Sequence, residues 1–98
     1  MLTVIYDPIE GDAYPDGKTK EVVYAIVEKA NQEDLTVTVS TELFIQRVRV
    51  AINKGIIDHT KVIIKFKDTI LQPDKKGKLS QWPEGFCDYY EECLINLF

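Results

Sequence analysis

The sequence is poor in the residues that most catalytic and metal chemistry draws on. Its 98 residues include one histidine, His59, one tryptophan, Trp82, and two cysteines, Cys87 and Cys93. One histidine excludes a histidine pair as metal ligands or as a proton relay within the chain. The cysteines stand six apart on a predicted helix, which sets them more than about 100° apart around its axis. They therefore do not bridge each other, and a metal would need two further ligands. Both read as reduced, partly buried thiols, with no metal and no cofactor expected. No apolar run approaches the roughly 18 residues of a membrane span. The opening Met1–Val4 has no basic stretch, and its apolar run stops at Asp7, so no signal peptide is read. The expectation is a cytoplasmic domain that does not touch a membrane.

What the chain does have is a globular composition, 45% hydrophobic, in a length that suits one domain. Its net charge of −4 is segregated. Residues 1–43 carry nine acids and three bases, and residues 44–78 carry nine bases and three acids. A solvated mixed surface explains this. So does a basic face for a phosphate backbone or an acidic partner, built from Arg47, Arg49, Lys54, Lys61, Lys65 and Lys67.

Hydrophobic periodicity divides the chain. Leu2–Tyr6 is a short apolar run that reads as a buried strand. Residues 7–17, rich in Asp, Gly and Pro, form a loop, with Asp16 placed to cap the next element. Val23, Ile26, Val27 and Ala30 mark one face of a helix ending near Asn31. Leu35–Ser40 alternates as a second strand. Glu42–Lys54 is a second helix, with Ile45, Val48 and Ile52 on one face and Gly55 just past its end. Val62–Phe66 is a third strand with lysines at 61, 65 and 67. Residues 68–83 are irregular, with a turn at 74–77 and room for a strand or hairpin near Thr69–Gln72. Phe86, Tyr89, Tyr90, Cys93, Leu94 and Leu97 share a helical face after Pro83. The predicted fold is α/β: a small parallel sheet from a βαβαβ unit over 1–67, with right-handed crossovers, then a tail over 68–98 ending in a helix.

Gly11–Thr19 comes close to a phosphate-binding loop, G-x-x-x-x-G-K-[ST], between a strand and a helix. Five residues rather than four separate its glycines, Pro15 removes an N–H donor, and Asp12 and Asp16 put negative charge where phosphates would sit. Lys18 and Thr19 remain possible anion contacts at the helix start. A plain connecting loop is the favoured reading.

Two stretches carry a family likeness. Gly77-Lys78-Leu79-Ser80-Gln81-Trp82-Pro83-Glu84-Gly85-Phe86, with Asp88, resembles the G-x-L-x-x-W-P-E-G-F-F-D ending of prokaryotic ABC-type (RecF/SMC-like) AAA ATPases. Val37 to Arg49 is similar to their segment V-x-T-H-S-E with apolar and Arg positions after it, where a strand ends on the switch histidine. In that register Leu2–Pro8 matches the Walker B strand. Tyr6 stands for the magnesium-associated Asp, Asp7 for the catalytic Glu and Ser40 for the switch histidine. Tyr14-Pro15 resembles the family's His-Pro just beyond that strand. The resemblance implies half of an ABC-ATPase-like P-loop fold, and it places the Walker A loop and signature motif outside this sequence. Tyr6 cannot hold Mg²⁺ as a carboxylate does, Ser40 cannot sense a γ-phosphate as histidine does, and Asp7 is one methylene short.

The expectation is thus a degenerate, non-catalytic ATPase-like module. It would act by protein–protein contact, with a full-length ABC-type ATPase of a DNA repair or defence system or with itself. Its sheet edge and an apolar flank would need a partner to cover them. One alternative is a nucleotide-binding protein or ATPase using Gly17-Lys18-Thr19 and Asp7. Another is a weak nucleic-acid binder through the basic 44–78 segment, which the acidic pI of about 4.9 disfavours. Trp82 reads as a core aromatic or as an exposed partner anchor, and His59 as an exposed connector residue.

Overall fold

Alternation along the first strand decides the architecture. The structure is a computed structural model that describes residues 1–13, 16–81, 83 and 86, with the backbone alone at 16–18. Strand β1, Leu2–Tyr6, buries Leu2, Val4 and Tyr6 and leaves Thr3 and Ile5 half-buried. Helix α1 spans Asp16–Ala30, strand β2 Leu35–Val39 and helix α2 Glu42–Asn53. A 3-10 turn at His59–Lys61 leads into β3, Val62–Phe66, and then β4, Thr69–Leu71. The elements match the sequence periodicity closely. Asp16 opens α1 rather than preceding it. The helix expected after Pro83, and with it Cys87, Tyr89, Tyr90 and Cys93, lies outside the described residues.

The fold is α/β, with one four-stranded sheet in the order β2-β1-β3-β4. β1 pairs in parallel with β2 (Leu2 opposite Leu35, Tyr6 opposite Val39) and with β3 (Leu2 opposite Val62, Val4 opposite Ile64). β4 runs antiparallel to β3, so the sheet is parallel in three strands and mixed as a whole. The β3–β4 link is a hairpin, for which the sequence has room at 69–72. Lys67 turns it at φ 53°.

Because directly paired residues share a face, Leu2, Val4, Val39, Val62, Ile64 and Phe66 form one apolar side. The other side carries Thr3, Thr36, Thr38, Ile63, Lys65 and Ile70. Only the first accepts an amphipathic helix. Val23 and Val27 of α1 and Phe44, Ile45, Val48 and Ala51 of α2 bury against it in a single core, with the two helices packed on each other. The second side has no described helix over it, and Ile70 there is 62% exposed. The β1→β2 and β2→β3 connections cross the sheet in opposite directions on the same face, so they have opposite hands. One crossover therefore departs from the right-handed rule expected for both. The first face, almost wholly apolar, takes both α1 and α2, whereas the second mixes threonines and a lysine with its isoleucines.

α2 ends as the sequence indicates. Gly55 takes φ 75°, its N–H donates to Ile52 O at 3.0 Å, and that of Ile56 donates to Ala51 O at 2.9 Å. This is the paired bonding of a Schellman motif, which satisfies two orphan helix carbonyls. Among the described residues no helix is long and apolar enough to cross a membrane.

Candidate functional site

β1 is the strand about which the connections reverse, with β2 on one side and β3 on the other. In open α/β sheets ligands bind outside the carboxyl ends of the strands at such a point. Here that place is a crevice of about 290 Å³ between Tyr6–Ile9 and Phe66–Lys67. It contains the two positions that the family resemblance aligns with magnesium and catalysis.

Tyr6 is 6% exposed. Its ring lies edge-on to Phe86, with centroids 5.5 Å apart at 89°, and tilted on Phe66 at 5.7 Å. Phe66 and Phe86 are themselves 5.4 Å apart. At the position the resemblance gives to a metal-binding carboxylate, the chain has one member of a buried three-ring cluster, an arrangement that adds about 0.5–1.5 kcal/mol per pair beyond area burial. Phe86 belongs to the W-P-E-G-F segment. The aromatic residue of β1 and this tail segment therefore meet.

Asp7 is also engaged. Its Oδ1 accepts the N–H groups of Ile9 and Glu10, both at 3.0 Å. These bonds, Glu10's first, hold the carboxyl below its ordinary value by favouring the charged form. Its own N–H donates to Val39 O at 2.8 Å, and its carbonyl accepts from Gly11 at 3.0 Å. Asp7 is a turn-former that binds the loop to the end of β2. Ser40 sits beyond β2, half-buried, its N–H donated to Asp12 O at 2.9 Å. Thr41 occupies the N-cap position of α2 without a side-chain capping bond.

Gly11 has a packing reason. A Cβ there would lie 2.3 Å from the Val39 carbonyl carbon and 2.6 Å from Asp7 O. The loop needs glycine to lie against β2, where Asp12 extends the edge through a parallel bridge to Val39. Gly17 and Lys18 fall in the first turn of α1, where only the backbone is described. Thr19 is fully buried, which takes that possible anion contact off the surface.

The six basic residues do not share a face. Arg49 is half-buried on α2, its Nε donating to Gly77 O and its Nη1 to Gln46 Oε1, both at 2.7 Å. Arg47 is half-buried, and its Nε is a buried atom with no hydrogen-bond partner among the described residues. Lys54 caps the far end of α2. Lys61 ends the 3-10 turn. Lys65 stands on the side of the sheet away from the helices, opposite Ile70. Lys67 lies in the hairpin turn, its Nζ 5.2 Å from the Phe66 ring centre. Trp82 lies outside the described residues. His59 is less exposed than expected, with Nδ1 3.4 Å from Asp58 Oδ1.

Sequence reasoning missed a second tied loop. Asp74 Oδ1 accepts the N–H groups of Lys76 and Lys78 at 2.8 and 3.0 Å, which lowers its pKa, Lys78's bond being the larger cause. Gly77, at φ 79°, presses on α2, where a Cβ would lie 2.2 Å from Arg49 O. The Asp-x-x-Gly spacing at 74–77 signalled a turn but not what it packs on. No described group of histidine, cysteine and carboxylate side chains is arranged to hold a metal ion. No family model, no curated protein and no solved structure matches the chain.

Proposed function

We propose that the chain is a non-catalytic, ATPase-like module that works through protein–protein contact, in the setting of an ABC-type ATPase of DNA repair or defence. The single observation that carries the proposal is the state of the strand-end site. Tyr6 is committed to an aromatic core and Asp7 to a turn. Phosphoryl transfer depends on several charged groups positioned together, and these two positions supply no such pair. Contact with a protein is supported by the bare side of the sheet. Sheets with parallel strands are ordinarily covered on both faces, and the described residues cover this one on one face. The exposed Ile70 and half-buried Ile63 beside Lys65 make that side a surface to be covered. The nucleic-acid reading gains no support, because its basic residues are divided between the two sides of the sheet.

Calorimetry with Mg-ATP tests the first half: no saturable heat is expected, and binding that disappears in Asp7→Ala overturns it. Affinity capture with wild-type and Ile70→Arg baits tests the second half. An ATPase-type protein held by the wild type and lost from Ile70→Arg is the expected result. Equal capture by both baits removes the bare side as the contact.

A further inference from the structure

Two surface features complement each other. The first is the loop Asp7–Asp12. Ile9 at its tip is 90% exposed, with Glu10 and Asp12 exposed beside it. Asp7 fixes the N–H groups of Ile9 and Glu10, and Asp12 is hydrogen-bonded to β2 through Thr38 O at 3.0 Å. A tied loop that presents an aliphatic side chain has little ordering entropy left to lose on binding. The second is a groove of about 290 Å³ along α2, lined by Arg49, Val50, Lys76 and Lys78. Val50 is 38% exposed there, an apolar side chain among cations. The Arg49 guanidinium is fixed in place by Gly77 and Gln46.

The groove is at the small end for drug-sized ligands, whose pockets start near about 300 Å³. One aliphatic side chain flanked by two carboxylates suits both its size and its charge. The loop lies beyond the carboxyl end of β1, whereas the groove lies along α2 as it returns toward the opposite end of the strands. One copy therefore cannot place its own tied loop in its own groove, but a second copy can.

We propose that the chain associates head to tail with copies of itself. Ile9 of one copy enters the groove of the next, and Glu10 and Asp12 face Arg49, Lys76 and Lys78. The proposal rests on the reading of the chain as an interaction module and names a second copy as the partner. The interface is heterologous, so it propagates into a closed ring or an open filament. It also gives the charge segregation of the sequence a role, since the acidic N-terminal part of one copy meets the basic middle of another. Complementary charge of this kind sets orientation and excludes the like-facing arrangement.

Sedimentation velocity over a concentration series tests it with four proteins. Wild type is expected to associate with rising concentration, and to do so less in roughly 0.5 M salt, where exposed charges are screened. Glu10→Lys/Asp12→Lys and Lys76→Glu/Lys78→Glu are each expected to lose association at least about tenfold. Mixing these two is expected to restore it, because the basic loop of one fits the acidic groove of the other. Ile9→Ser, at an exposed position, is expected to melt like wild type yet lose association. A wild type that stays monomeric throughout, reversed variants that do not recover on mixing, or an Ile9→Ser that associates like wild type overturns the proposal. The Ile70→Arg capture reads the general interaction proposal separately, since it probes the other side of the sheet.

Discussion

The loops at 7–11 and 74–77 are built alike, although the family resemblance gives a catalytic position to only one of them. In each, an aspartate Oδ1 accepts two backbone N–H groups, from Ile9 and Glu10 in the first and from Lys76 and Lys78 in the second. In each, a glycine N–H returns to the carbonyl of that aspartate, at 3.0 and 2.9 Å. In each, the glycine lies so close to a neighbouring backbone that a Cβ would come within 2.3 or 2.2 Å of it. The bonding of Asp7 is thus a general turn device, since Asp74, with no family role, is bonded the same way. The loops differ in two respects. Gly77 alone has a left-handed φ, 79°, and the first loop is acidic while the second is basic.

The backbone difference predicts the largest effect. Gly77→Ala forces a Cβ into a left-handed conformation, at about 1–2 kcal/mol. It also pushes the loop off the middle of α2, at about 1–3 kcal/mol of lost packing. The expected loss is about 3 kcal/mol, a fall in Tm of more than about 12 °C for a domain this size, read from a circular dichroism melt. A fall below about 4 °C would mean that the loop yields and that the Arg49 contact is not a fixed one.

Gly11→Ala meets an equally close backbone without the conformational cost. With no left-handed strain added, a smaller loss of about 1–2 kcal/mol is expected, roughly 4–16 °C. If Gly11→Ala melts at or below Gly77→Ala, the ranking by left-handed φ is wrong.

The shared device predicts a shared pH response. Asp7 and Asp74 both have pKa values below the ordinary carboxylate value, through backbone N–H groups that favour the charged form. A carboxylate lowered on folding adds stability that is fully present above its unfolded pKa, near about 4. That stability is lost as pH falls through the folded value. Melting temperatures measured from pH 6 downward should therefore hold level and then drop below about pH 4. Asp7→Asn and Asp74→Asn should each flatten that drop, because the amide keeps an acceptor oxygen but does not titrate. A drop unchanged in both variants would show that the turns do not depend on charge.

Much of this architecture is legible in the sequence, because period-2 and period-3.6 patterns are local. β1, both helices and the Gly55 cap follow from neighbouring residues. The placing of α1 and α2 on one side is legible in principle, since Thr36, Thr38 and Lys65 mark the less apolar face, but a parallel βαβαβ pattern draws attention to right-handed crossovers instead. The site is less legible. Tyr6 meets Phe66 and Phe86 only through tertiary packing. The spacing of basic residues along the chain does not say which side of a sheet each one takes. Lys65 lies away from the helices because its neighbour Phe66 faces the buried side of the sheet.

The smallest expected effect reverses the largest. Lys67 has a left-handed φ of 53° like Gly77, but it lies exposed in the β3–β4 turn with no described helix against it. Lys67→Gly releases about 1–2 kcal/mol of left-handed strain. It also gives the unfolded chain more freedom, at about 0.5–1 kcal/mol, and removes a cation over the Phe66 ring worth about 0.5–1 kcal/mol at an exposed site. The net change should stay within about 1 kcal/mol of wild type, in a melt run beside Gly77→Ala. A much larger loss would make the contact of Lys67 with Phe66 part of what holds the three-ring cluster closed. The left-handed angle would then count for less than the close backbone in setting the cost at Gly77.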